Sequence, residues 1–157
     1  MMRRALAFLL LAPLAGCLQP PGPAEEAGDA ARELNATSRY GELAGVLGMT
    51  SAGMRPEFVS RRAEWGKLVR VVDMELAGLT LDDRDHANIF VDFSWTRIDQ
   101  GILKNTRVLQ VWQNDDGTWL LVREKRVAGD LGLFGEVVAS SESAPRPDVQ
   151  FPTRVIR

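Results

Sequence analysis

The chain has 157 residues, with 19 basic and 21 acidic side chains, one histidine, one cysteine and a formal net charge of −2. That length suits one domain with a core of its own, and the slight acidic excess argues against a nucleic-acid partner, which calls for a basic face. A single cysteine excludes a disulfide within the chain and a thiolate metal site. Only carboxylates are then left for a metal, and no calcium-loop spacing appears, so neither metal nor cofactor is expected.

The chain opens on Met1-Met2-Arg3-Arg4, a short positive segment. An unbroken apolar run follows from Ala5 to Ala12, then Pro13 and small residues up to the lone cysteine. This is the layout of an export signal. The run is too short to span a bilayer, which needs about 20 apolar residues. The ending Leu14-Ala15-Gly16-Cys17 resembles the lipobox of bacterial lipoprotein precursors. The resemblance implies cleavage between Gly16 and Cys17 and acylation of Cys17. The family carries three acyl chains there, and two or more suffice for a firm anchor. Leu18, rather than an aspartate, follows the cysteine. The resemblance then implies the outer membrane, facing the periplasm, rather than retention at the inner one.

The domain boundaries expected from composition are a signal segment over 1–16, the lipidated cysteine and a tether over 17–28, an α+β domain over 29–136, and a Ser/Pro-rich tail over 137–157. Pro20, Pro21, Gly22 and Pro23 make the tether extended. From Ala24 to about Leu47, Ala27, Ala30, Ala31, Leu34, Leu43, Ala44 and Leu47 recur at helical spacing. Gly41 marks a kink or an end. A second helix is framed by Pro56 at its start and Gly66 just past its end, with Phe58, Arg62 and Trp65 on one face.

Strands come next. Lys67–Leu79 is the first, closed by a turn at Asp82-Asp83-Arg84-Asp85. His86–Ile98 alternates Ile89, Val91, Phe93 and Trp95 against Asn88, Asp92, Ser94 and Thr96, which is the pattern of a half-buried strand. Asp99-Gln100-Gly101 turns into Ile102–Gln113. Asn114-Asp115-Asp116-Gly117 makes a hairpin into Thr118–Val127. Four strands with short turns form an antiparallel meander, so the fold class is α+β: N-terminal helices packed on a curved four-stranded antiparallel sheet. Simple alternation sets Leu68, Val72, Met74 and Leu76 on one face of the first strand and Val69 and Val71 on the other. An apolar second face calls for a cover, such as a second subunit, the tail or a partner.

The segment Met54–Trp65 with the long strands after it is similar to small exported NTF2-like (nuclear transport factor 2-like, SnoaL-like) domains. The hairpin Thr106–Val122, with Trp112, Asp116-Gly117 and Trp119, resembles that superfamily's last two strands. The resemblance covers about Ala30 to Val127. It implies a cone-shaped sheet wrapped on helices with a pocket at the open end, and it does not by itself carry function.

Enzymes of that fold place a catalytic Asp or His inside the cone. Here the candidates are His86 at a turn, Tyr40 in the first helix, and Asp73, Glu75 and Asp92 in strands. Asp92 alternates away from the apolar residues and is expected to face water or a cross-strand cation, with Arg107, Arg123 and Lys125 in reach. No catalytic residue is assigned. Phe58, Trp65, Phe93, Trp95, Trp112 and Trp119 are candidates for lining a pocket for an apolar ligand, and equally for an aromatic core between helix and sheet. The expectation is a non-catalytic, envelope-anchored binding or accessory lipoprotein. It would meet the membrane through Cys17 and meet a protein partner, a second copy through the sheet, or a small apolar ligand. The alternatives are an isomerase- or hydratase-like enzyme with a buried carboxylate, and a dimeric structural component of an envelope complex.

Overall fold

The computed structural model describes residues 20–137. The expected signal segment, Cys17 with its cleavage site, and all of the expected tail after Val137 lie outside the described residues. In order, the elements are helix α1 (Pro23–Ser38), a 3-10 turn over Ala44–Met49, helix α2 (Arg55–Arg61) and strands β1 (Val69–Leu81), β2 (His86–Arg97), β3 (Leu103–Asp115) and β4 (Thr118–Gly129). The strands form one antiparallel sheet in the order β1-β2-β3-β4, with the helices packed on one face. The α+β class and the meander agree with the expectation. Among the described residues, no helix is long and apolar enough to cross a membrane.

Pro23 opens α1, where a missing N–H costs nothing, and Glu25 and Glu26 sit at its positive end. Residues 23–28, which composition assigned to the tether, are therefore the first turns of the helix. Ala27, Ala31 and Leu34 are buried against the sheet. The helix ends at Ser38 and does not run on toward Leu47. Gly41 then takes a φ of +83°, and a Cβ there would lie 2.5 Å from the Trp65 carbonyl oxygen. Gly66 mirrors it, with a φ of +73° and 2.2 Å to the Tyr40 carbonyl oxygen. Two facing glycines let these backbones touch, and no other residue would fit at either place. Helix α2 also stops early, at Arg61. The chain leaves it so that Trp65 can bridge to Val69 and start β1.

β2 follows the expected alternation, with Ala87, Ile89, Val91, Phe93 and Trp95 all buried. β1 departs from it. Bulges between Val71 and Asp73 and between Leu76 and Gly78 each insert one residue. An inserted residue reverses the facing of everything after it. Val69 and Val71 before the first bulge, and Met74 and Leu76 after it, therefore share the core face. The expectation that Met74 and Leu76 oppose Val69 and Val71 is corrected by that bulge. Val72, the extra residue, stays exposed, as does Leu68. Among the described residues, the helices and all four strands share one hydrophobic core.

Candidate functional site

The inner face of the sheet is closed by a buried polar chain. Arg62, just past α2, donates two hydrogen bonds to Glu124 on β4: Nη1 to Oε1 at 2.5 Å and Nη2 to Oε2 at 2.7 Å. Both side chains are fully buried. Gln110 of β3 donates from Nε2 to Glu124 Oε2 (3.2 Å) and to Asn35 Oδ1 of α1 (3.0 Å). Asn35 answers through Nδ2 to Gln110 Oε1 (3.0 Å) and to the Ala31 carbonyl (2.8 Å). The guanidinium lies 3.9 Å from the Phe58 ring centre and 4.7 Å from that of Trp65. Aromatic faces carry partial negative charge, so they complement the cation on the sides that Glu124 leaves open. A charge taken from water survives inside a protein only with partners of this kind.

Glu124 reaches the interior through another bulge. Between β3 and β4 the register slips at Val111/Trp112, so that Trp112 faces Leu121 while Val111 faces Arg123. Val122 is the extra residue. Without it, the alternation that buries Trp119 and Leu121 would point Arg123 inward and Glu124 outward.

The six aromatic candidates are all in the buried core. Trp65 meets Phe93 edge-on at 5.6 Å and stacks on Phe134 at 6.2 Å. Its indole N–H donates to the Leu133 carbonyl at 2.8 Å, which pins the loop after β4. Trp95 donates to Thr106 Oγ1 at 2.9 Å. The indole N–H groups of Trp112 and Trp119 are buried without an acceptor among the described residues. Trp119 borders a cleft of about 310 Å³ that Glu26, Glu33 and Met49 also line.

The acid–base candidates are scattered. Asp92 lies on the outer face, where Arg107 donates Nε to Oδ1 (2.7 Å) and Nη2 to Oδ2 (2.6 Å). Those bonds hold the Asp92 carboxyl below the usual aspartate range. Arg107 is thus the cross-strand partner, while Arg123 and Lys125 stand exposed on β4. Asp73 and Glu75 are exposed on β1. His86 hydrogen-bonds through Nδ1 to Asp83 at 2.9 Å on the first hairpin turn. Asp83 is held below the usual range, first by the Asp85 amide and then by His86. Tyr40 is 67% exposed, at the rim of a cleft past the end of α1 and not in the core. Among the described residues no three His, Cys, Asp or Glu side chains gather as a metal set.

Sequence reasoning placed Arg62 on the face of Phe58 and Trp65, which was the available signal for a buried cation. It passed over Glu124, Gln110 and the role of Asn35.

No protein-family model matches the sequence, and no curated protein matches it. Two solved structures are similar in shape. A SEC-C motif containing protein from Rhodopseudomonas palustris superposes with a TM-score of 0.56 at 13% identity, covering 69% of this chain and 83% of that one. The intermembrane space region of the chloroplast protein ARC6 gives 0.49 at 11% identity, covering 69% and 99%. At such identities the likeness concerns the fold alone. The class it defines is an α+β fold with N-terminal helices packed on one face of a four-stranded antiparallel sheet.

Proposed function

We propose that this chain is a lipoprotein of the bacterial envelope, held in the outer membrane through acylated Cys17, whose NTF2-like domain works by binding and not by catalysis. The anchor rests on the signal layout ending in Leu14-Ala15-Gly16-Cys17. The observation that carries the binding half is the state of Glu124. It is the one buried carboxylate among the described residues, and Arg62 and Gln110 occupy both of its oxygens. A general base needs a lone pair directed at substrate, and these point into the protein. The partner is a protein or a second copy at the outer sheet face, or a small ligand. Phe90, Leu109, Val111, Leu120 and Val122 lie half-buried on β2, β3 and β4, and Phe90 pairs with Leu109 across the strands of the outer face.

The test of the anchor is Cys17→Ser with labelled palmitate. The variant is expected to stay uncut, unlabelled and outside the outer-membrane fraction. Normal processing and normal partition would end the lipoprotein reading. The isomerase or hydratase alternative retains one residue, Glu124. It would be favoured by a turnover that Glu124→Gln abolishes while the fold persists.

A further inference from the structure

Past the end of α1, a cleft of about 580 Å³ opens between Arg39, Tyr40, Arg70, Val72, Thr96 and Ile98. Among the described residues its lining holds two arginines and no carboxylate. Arg32, Arg61, Arg62, Arg97, Arg107 and Arg126 each meet an acid. Arg39 and Arg70 meet none among the described residues, nor do Arg55, Arg84 and Arg123, but only Arg39 and Arg70 line this cleft. Arg39 is nevertheless fixed in place. Its Nη2 donates to the Val72 carbonyl at 3.2 Å, and its guanidinium lies 4.8 Å from the Tyr40 ring centre. Its Nε is buried and has no acceptor among the described residues. A cation oriented by a carbonyl and a ring keeps its whole charge, which is what an anion site requires.

The remaining wall is apolar and open to water. Val72, the extra residue of the β1 bulge, faces outward, 49% exposed, and Ile98 is 56% exposed. The same bulge makes β1 a poor edge for an added strand, since an irregular edge resists pairing. Side chains, not backbone ladders, are therefore what the cleft offers a visitor.

We infer that this cleft binds an anionic amphiphile, with its carboxylate or phosphate head between Arg39 and Arg70 and its apolar body along Val72 and Ile98. The inference rests on the binding half of the function proposed above and names its small ligand. It is independent of the anchor.

The experiment uses residues 18–157, the expected mature chain without its acylated cysteine, which holds every described element. Decanoate and decyl phosphate, below their micelle concentrations, are titrated in and followed by amide chemical shifts. Decyltrimethylammonium serves as the cationic control. Saturable shifts at Gly66, Val72, Thr96 and Ile98 are expected for the two anions, with at least tenfold weaker binding of the cation. The Arg70 side chain is exposed and makes no hydrogen bond or ion pair among the described residues, so Arg70→Glu should leave the spectrum folded and weaken both anions tenfold or more. Ile98→Ser should weaken decanoate severalfold. Equal binding of the cation, shifts mapping elsewhere, or an Arg70→Glu variant with unchanged affinity would overturn the assignment. Sedimentation with phosphatidylglycerol vesicles tells the two sources of such an anion apart. Co-sedimentation that Arg70→Glu abolishes assigns it to a membrane lipid, and decanoate binding without co-sedimentation assigns it to a free acid. Failure of these probes removes the cleft and leaves the anchor standing, because the anchor falls only with the Cys17→Ser result.

Discussion

Two bidentate arginine–carboxylate pairs, Arg62–Glu124 through Nη1 and Nη2 and Arg107–Asp92 through Nε and Nη2, stand on opposite faces of one sheet. Asp92 and Arg107 face water on β2 and β3, with side chains 41% and 49% exposed. Arg62 and Glu124 lie inside, with both side chains at 0%. The contacts are alike and the surroundings are not. In water each charge keeps much of its hydration, so the outer pair is a local preference worth well under the cost of ordering a strand. Inside, each charge depends on the other, on Gln110 and on the aromatic rings, so the inner pair commits α2 and β4 to one arrangement. The lesson is that the geometry of an ion pair does not give its worth. Solvent access does.

The largest effect that would break this comparison concerns Glu124→Ala. Leaving Arg62 buried and unpaired is expected to cost about 3–5 kcal/mol, read by denaturant unfolding of residues 18–157. A loss as small as that of an exposed pair would erase the distinction. The double variant Arg62→Met with Glu124→Leu removes both charges and keeps the volume. It should recover most of that loss, since an apolar replacement of a buried pair is often neutral or better. Failure to recover would mean that the network also dictates the packing. Asn35→Ala takes away the amide facing Gln110 and is expected to cost about 1–3 kcal/mol, the usual penalty for a stranded buried polar group.

The smallest effect belongs to Asp92→Asn, at under about 1 kcal/mol and falling with added salt. Its sign with pH is fixed. Arg107 lowers the folded pKa of Asp92, so the unfolded chain takes up the proton first. The contribution is whole above the unfolded value of about 3.9 and is lost as pH falls through the lower folded value. Unfolding curves of wild type and Asp92→Asn should therefore converge at acid pH. Curves that diverge there would mean that the pair is not what the substitution removes.

Much of the frame was legible in the chain. Alternation from Ile89 to Trp95 announced β2, and each strand junction carried its turn residues. The last hairpin turns where Asp116 and Gly117 take φ of +49° and +87°, the left-handed pair that an Asp-Gly sequence favours. Phe58, Arg62 and Trp65 were already one face by spacing. These features are local, since each depends on residues a few places apart, so the sequence determined the elements, their order and the meander. It also carries the lipobox-like Leu14–Cys17, which no packing argument touches.

The tertiary structure alone decided which residues face inward beyond a bulge. A single inserted residue, Val72 in β1 or Val122 in β4, reverses the side chains that follow it as far as the next bulge. Whether an insertion occurs depends on the register of the partner strand and on what the interior accepts. That is how Glu124 and not Arg123 came to meet Arg62, 62 positions earlier in the chain, and how Met74 and Leu76 came to join Val69 and Val71 on the core face. A choice settled by contacts so distant in sequence leaves no mark in the spacing of neighbours.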